Sequence, residues 1–457
     1  MSELPGGWTE CLIGEVSKVV AGGTPPSKDP TNFSPLDTGL PWITPADLSG
    51  YKQIYISRGA RNLSEKGFDS CSAVKMPAGS VLFSSRAPIG YVAIAANEVT
   101  TNQGFKSFVL PDEINSHFMY YYLKSVKPVA EAMATGTTFK ELSGSATAQL
   151  PFVLAPINEQ KRIADKLDAV LARVDACRDR LDRVPVILKR FRQSVLAAAT
   201  SGKLTEDWHA EQTIASHPTT WQIGTLANLL VGKPRNGYSP RAVEYPTSVK
   251  SLTLTATTSG RFKGEHFKYI DEKIPPDSHL WLQPGDILIQ RANTLESVGI
   301  SAVYDGPSST FIYPDLMMKA KANNLVETKF LHYLLLSEPV RRHFRDNATG
   351  TAGNMPKINQ PTVLTAPVTW PSREEQAEIV RRVESLFDYA DRLEARFATA
   401  RAQTERLTPA LLAKAFRGEL VPQDPSDEPA SELLERIRAQ HSAPGAGKPR
   451  HNKRLQS

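Results

Sequence analysis

The sequence has little of what marks a secreted, membrane-spanning or self-sufficient catalytic protein. It holds three cysteines, Cys11, Cys71 and Cys177, far apart and odd in number. They offer neither a disulfide framework nor a zinc site and fit a reducing cytoplasm. No apolar run approaches the roughly 18 residues of a membrane span. The opening Met1-Ser-Glu-Leu-Pro-Gly-Gly-Trp8 lacks the basic-then-apolar pattern of a secretion signal. Phosphate-loop, dinucleotide-binding, His-Glu-x-x-His and Gly-x-Ser-x-Gly signatures are missing, as is the Asn-Pro-Pro-Tyr/Phe motif with which adenine methyltransferases hold a flipped base. The nine histidines do not gather at metal-ligand spacing. The expectation is a chain with no catalytic residue, no metal site and no cofactor of its own. A single loose pattern points elsewhere. Pro314-Asp315 with Glu327-Thr-Lys329 imitates the two carboxylates and lysine of a Mg²⁺-dependent nuclease. The first half has no matching Glu-x-Lys, and Glu327 stands where a helix is expected to begin.

What is present suggests a folded protein of two or three domains: 457 residues, 40% apolar and 22% charged. Lys and Arg number 54 against 48 Asp and Glu, a net charge of +6. That permits a polyanionic partner without identifying one. The 34 prolines predict much irregular backbone outside the helices.

The chain is written twice. Asn158-Glu-Gln-Lys-Arg-Ile-Ala-Asp-Lys-Leu167 returns, 216 residues on, as Glu374-Glu-Gln-Ala-Glu-Ile-Val-Arg-Arg-Val383. The same offset carries Asp175 onto Asp391, Leu196-Ala197 onto Leu412-Ala413, and Gly202 onto Gly418. Weaker echoes precede each copy: Trp8 and Trp221, Gly79–Arg86 and Gly285–Arg291, Phe118–Leu123 and Phe330–Leu335. The globular parts have diverged further than the helices, as expected of one frame carrying two different readers.

Apolar residues in the first copy fall at Ile163, Leu167, Val170, Val174, Cys177, Leu181, Leu188 and Val195. In the second they fall at Ile379, Val383, Leu386, Ala390, Leu393, Phe397, Leu407 and Leu411. With Val184 and Phe191 completing the first series and the small or polar Ala400 and Thr404 the second, alternating steps of four and three make heptad seams. Gly202 and Gly418 supply the stops, and Pro185 and Pro409 predict a bend or break in each helix. A helix from about 158 to 200 is roughly 65 Å long and cannot bury its seam alone. Pairing between chains would bury it, and so would pairing of the two copies within one chain. The short link from Thr205 to Pro218 favours the second arrangement, folded back antiparallel.

The globular segments alternate short apolar runs with turns and read as mixed α/β. Several of their loops suit DNA. Thr24 and Lys28, and Lys233, Arg235 and Asn236, lie in Gly/Pro loops where backbone can approach phosphate. Asn102 and Gln103 beside Lys106 carry the amides that pair with adenine, while Arg86 and Arg291, with Asn293 and Thr294, follow expected strands. Thr138 and Lys140, and Thr351, Asn354 and Lys357, occupy the last loop of each half.

These features together resemble the specificity subunits of type I restriction–modification systems. Gly22-Gly-Thr-Pro25 and Pro41-Trp-Ile-Thr-Pro-Ala-Asp-Leu48 are similar to the opening of their recognition domains. Pro156-x-x-Glu-Gln160-x-x-Ile163 is similar to the entry of their first connecting helix. Ala198-Ala-Thr-Ser-Gly-Lys-Leu-Thr-Glu-Asp-Trp208 and Ala415-Phe-Arg-Gly-Glu-Leu420 are similar to the helix exits. The second half departs from the pattern, with Val231-Gly-Lys-Pro-Arg-Asn in place of the Gly-Gly-Thr-Pro turn. The resemblance implies an α+β architecture with target-recognition domains in 1–156 and 205–371, the latter including a linker. Long helices at 157–204 and 372–420 would form an antiparallel intramolecular coiled coil with pseudo-two-fold symmetry, followed by a partly disordered tail, 421–457. It implies double-stranded DNA, two methyltransferase subunits and restriction/translocase subunits as partners, with no membrane. S-adenosylmethionine, ATP and Mg²⁺ would belong to those partners. An equivalent two-domain reader from another multi-subunit restriction system is the nearest rival.

Overall fold

Four helices organise the chain: α1 (Ile157–Leu181), α2 (Val184–Ala199), α3 (Arg373–Ala415) and α4 (Ala430–Ser442). The computed structural model describes residues 4–136, 140–208, 221–350 and 355–442. The helix expected over 157–204 is interrupted between Leu181 and Val184, the break that Pro185 predicts, and so forms two helices. Pro185, the second residue of α2, has no N–H for the Leu181 carbonyl, and its ring crowds the preceding turn. Pro409 does not break α3. The residues beyond it, Leu412, Ala415 and Phe416, are buried. Burying a Leu or Phe side chain contributes about 1.5–3 kcal/mol, comparable to the roughly 3 kcal/mol cost of an interior proline. Gly202 and Gly418 adopt the left-handed backbone (φ 81° and 74°) that a helix stop requires. Within the described residues the tail carries α4, where a short helix is expected.

The chain divides into two compact units, residues 1–180 with 400–457 and residues 181–399. In unit 1 a five-stranded sheet has the order Lys18–Ala21, Lys106–Val109, Val81–Ser85, Ile89–Ala95, Tyr55–Ile56. A four-stranded sheet has the order Phe33–Ser34, Arg61–Leu63, Leu40–Ile43, Thr100–Thr101. The pair Thr9–Leu12 and Pro151–Leu154 closes the unit beside α1. Unit 2 repeats this scheme without the last strand of the larger sheet. Its sheets run Arg235–Asn236, Met317–Ala320, Ile287–Gln290, Ser301–Val303, and Ala242–Val243, Phe267–Ile270, Val249–Leu252, Phe311–Ile312.

In each unit the core lies between the larger sheet, a helix lying on it and the long helices. Unit 1 buries Phe83, Phe108 and Phe118 with Ile163, Leu167 and Leu171 of α1, Leu412 of α3, and Leu433 and Ile437 of α4. Unit 2 buries Ile287, Met318 and Phe330 with Val195 and Leu196 of α2 and Ile379 and Val383 of α3. The helices run antiparallel within each unit. In unit 1 Arg178 donates to the Thr404 carbonyl and the Thr408 hydroxyl, while Glu159, at the other end of α1, accepts from Gln423 beyond α3. In unit 2 Arg192 pairs with Asp391 and Glu394, and Thr205 donates to Glu375.

The heptad reading needs adjustment at its edges. Ile163, Leu167, Val174, Leu188, Ile379 and Val383 are buried, whereas Val170, Leu181, Leu386, Leu393 and Phe397 are half-buried. Cys177 and Leu407 are exposed, and Leu171 and Leu412 take buried places instead. The globular domains sit on these helices, so the apolar face is wider than a two-helix seam.

The units differ inside the larger sheet. In unit 2 Asp286 and Lys319 form a buried ion pair at 3.2 Å, and the ammonium also donates to the Trp281 carbonyl. The register places Ser80 and Ser107 there in unit 1, and among the described residues neither buried hydroxyl finds a partner. Removing one member of a buried pair strands the other charge, so Asp286→Ser is expected to cost about 3 kcal/mol. The double change Asp286→Ser with Lys319→Ser, copying unit 1, is expected to cost less. Urea unfolding of both single variants and the double variant decides, and a double variant as unstable as the sum of the single changes would show that the two groups do not act as a pair.

Candidate nucleic-acid interface

Each long helix begins with a buried polar pair that ties it to the globular part of its unit. In unit 1 the Trp8 indole donates to Glu159 (2.9 Å); Gln160 accepts from the Asn115 backbone and donates to the Ala155 carbonyl, both at 2.9 Å. In unit 2 Trp221 donates to Glu375 (3.2 Å), and Gln376 accepts from the Glu327 backbone and donates to the Pro371 carbonyl. Burial pushes the Glu159 carboxyl above its usual range, opposed by the hydrogen bonds from Trp8 and Gln423. Further along α3, burial works against the charge of Asp391, yet Arg261 and Arg192 hold its carboxyl below the usual range.

Most loops singled out for DNA gather at one end of the larger sheet in each unit; Lys233 does not, because Val231 bonds Lys321 at the end of that strand opposite to the one where Arg291 bonds Leu316. In unit 1 Gly23 donates to the Thr101 carbonyl, which joins the Thr24 turn to the Asn102–Gln103 loop. A side chain on Gly22 would lie 1.9 Å from the Asn102 carbonyl, so glycine is needed there. Arg86 and Lys106 converge on Glu141, at 3.4 and 3.6 Å. Thr24, Lys28 and Lys140 are exposed. Lys106 is buried, Asn102 caps its own turn by accepting from Gly104, and the Gln103 carbonyl oxygen is buried. In unit 2 Arg235 and Asn236 pair with Lys319 and Met318, on the strand whose other edge meets Ile287–Gln290. Arg291 follows that strand and bonds the Asp315 carbonyl. Asn293 is engaged on both sides of its amide, donating to Gln290 and accepting from the Thr294 backbone. Its backbone donates to the Pro356 carbonyl, which brings Lys357 alongside. Lys233, Arg235, Asn236, Thr294 and Lys357 are exposed. Thr138, Thr351 and Asn354 lie outside the described residues.

The close-approach glycine of unit 2 is Gly237, where a side chain would meet the Tyr313 carbonyl at 2.2 Å. The signal was Asn-Gly in Arg235-Asn-Gly-Tyr238, further along than the Val231-Gly-Lys-Pro stretch. Glu141 also escaped notice, since a lone carboxylate between basic residues has no sequence signature.

The nuclease-like trio does not assemble. Asp315 accepts from the Ser239 hydroxyl, Glu327 stands just ahead of the helix Thr328–Leu336, and Lys329 pairs with Glu384 on α3. Among the described residues no group of three or more His, Cys, Asp or Glu is placed to hold a metal, and no helix is long and apolar enough to cross a membrane.

Comparison with known proteins agrees with this geometry. Residues 5–185 match the family described as type I restriction modification DNA specificity domain. The EcoBI specificity subunit of Escherichia coli is 31% identical over 360 residues, covering 74% of this chain and 75% of that protein. The chain is a member of the type I restriction enzyme specificity subunits. The EcoKI specificity subunit of Escherichia coli K12 is 28% identical across 98% of both chains. Among solved structures, the HsdS subunit from Thermoanaerobacter tengcongensis shares the fold at TM-score 0.57 and 17% identity, over 91% of this chain and 98% of that one. A chain solved in work on the assembly and conformational transition of the type I R-M system gives TM-score 0.64 at 16% identity, over 92% of this chain and all of that one.

In unit 2 of this specificity subunit a cleft of about 900 Å³ separates the globular part from α2 and α3. Beside it His332 is buried, its Nε2 3.0 Å from the Gly260 carbonyl and its Nδ1 3.0 Å from the Ser301 hydroxyl. These partners suit a neutral ring that donates from Nε2 and accepts at Nδ1. Burial pushes its pKa down to about 4. The unfolded chain takes up this proton near pH 6.5 and the folded chain does not. The stabilisation is therefore complete above about pH 6.5 and is lost as pH falls from there to about 4, by up to about 1.4 kcal/mol per pH unit. His332→Gln is expected to unfold with a shallower pH dependence across that window; an unchanged slope would show that His332 is not the group responsible.

Proposed function

We propose that this specificity subunit reads a two-part, asymmetric double-stranded DNA target and directs adenine-N6 methylation and ATP-dependent restriction by its partners. The observation that carries the reading is the repetition of one sheet order on one helix anchor, with different side chains at the tips. The exposed residues Thr24, Lys28 and Lys140 in unit 1, and Lys233, Arg235, Asn236, Thr294 and Lys357 in unit 2, are the contacts to phosphate and base edges. Arg86 and Arg291 stand behind them at the strand ends. Antiparallel pairing within each unit supports a continuous intramolecular coiled coil, in which α1 and α2 lie against α3 with pseudo-two-fold symmetry. Such a frame matches the local two-fold of duplex DNA and sets the gap between half-sites.

The subunit works in the cytoplasm and supplies the address, while its partners supply the chemistry. Two methyltransferase subunits dock along the helices, flip the adenine and methylate it from S-adenosylmethionine. Restriction/translocase subunits bring ATP and Mg²⁺ and act on unmodified sites.

Mapping N6-methyladenine across the source genome, with and without this gene, tests the reading. Deletion is expected to erase methylation at one bipartite motif, and exchange of residues 5–155 is expected to change only one half of it. An N6-methyladenine map unchanged by deletion would sink the proposal. At the residue level, Lys233→Ala and Arg235→Ala are each expected to weaken binding of the assembled complex evenly across sequences and to reduce the salt slope by about 1. A loss confined to one base position would instead make that residue a base reader.

A further inference from the structure

A globular domain held on a helix at one point can pivot; a second point removes the pivot. In unit 1 the first point is the Glu159–Gln160 anchor. Nine residues further along α1, about 13 Å, stands Asp168. Its carboxylate takes two groups from the helix Ser116–Ser125: His117 Nδ1 at 2.8 Å and the Tyr121 hydroxyl. The other ring nitrogen, Nε2, lies 2.6 Å from the Tyr55 hydroxyl. The apolar packing around this cluster gives adhesion but little direction, whereas charge-assisted hydrogen bonds are short and angular.

Unit 2 repeats the placement with other chemistry. Glu384 stands the same nine residues beyond Glu375, and it pairs with Lys329, the counterpart of His117 one residue before Phe330. Tyr333, the counterpart of Tyr121, packs on Phe387 of α3. Arg261 adds a further tie to Asp391, with oxygens at 2.6 and 3.2 Å. The sites keep their place on the helix although the residues have changed, which argues for a demand of geometry.

We infer that His117, Tyr121 and Asp168 are positioning residues that hold the first recognition domain at one orientation on α1, and thereby restrict the gap length that the subunit accepts between its half-sites. The inference rests on the two-part reading proposed above. None of the three need touch DNA: a domain free to swing about the Glu159–Gln160 anchor would shift its reading loops along the duplex and admit targets of the wrong spacing.

The test uses the complete complex with its methyltransferase partner and the motif found by genome mapping. Three duplexes carry that motif with the native gap and with gaps one base pair shorter and longer, and initial methyl-transfer rates are compared. Asp168→Ala is expected to raise the off-gap to native-gap rate ratio about tenfold, on the scale of one charge-assisted hydrogen bond. His117→Lys, which copies unit 2, is expected to keep the wild-type ratio, as is Asp165→Ala on the exposed side of α1. Tyr55→Phe deletes only one hydroxyl and is expected to shift the ratio in the same direction by a few-fold, so the inference stays testable if Asp168→Ala fails to fold. Rates that fall together at all three gaps, with the ratio unchanged, would mean a merely structural role and overturn the inference. A wild-type complex that modifies no two-part target overturns the parent reading, and this one with it.

Discussion

A carboxylate and an amide buried at the head of a helix have to be satisfied, and here the globular part of the same unit supplies most of the partners, with Gln423 and Thr205 each adding one from the ends of the long helices. Glu159 and Gln160 reach the Trp8 indole, the Asn115 backbone and the Ala155 carbonyl. Leaving any of these groups unpaired would cost about 1–3 kcal/mol each. The apolar residues around them fill space without choosing a register. The polar pair chooses it, because each hydrogen bond has one partner and one direction. The same three kinds of contact recur around Glu375 and Gln376, so one local rule seats two dissimilar domains on one kind of helix.

The frame was legible in the sequence because periodicity and repetition are global signals. A heptad seam spread over some thirty residues and an offset of 216 survive many substitutions. The glycine stops were legible for a local reason, since only a residue without a side chain adopts that backbone cheaply. The prolines were only half legible. Pro185 and Pro409 carry the same intrinsic cost, yet one ends a helix and the other does not. Burial three residues on does not separate the two, since Leu188 and Leu412 are both buried. Intrinsic preference does not separate them either, because both prolines carry it alike.

The reading surface was legible as loops and not as atoms. Lys106 looked like a free cation in a polar loop and is buried against Glu141. Asn293 looked like a base reader and has both sides of its amide engaged in its own turn. Both cases turn on a partner distant in sequence or on a hydrogen bond too local for a motif to report. The missed glycine, Gly237, shows the converse: the backbone requirement was present in both halves, but the loop lengths ahead of it differ, so aligning by Gly-x-Pro content chose the wrong residue.

Divergence between the units obeys the same division. At the anchor the residues stay Trp, Glu and Gln, because each makes bonds that no other side chain reproduces at that place. Within the larger sheet, an Asp286–Lys319 pair stands where unit 1 has Ser80 and Ser107. A buried charge pair and two small hydroxyls both fill that space, since a pair that neutralises itself is often nearly neutral in stability against uncharged replacements. Such a position drifts freely so long as both members change together. At the tips, where no packing partner dictates the side chain, residues are released altogether. Two readers with different sequences can therefore be carried on a frame that hardly changes, and altering one reader leaves the bonds that seat the other untouched.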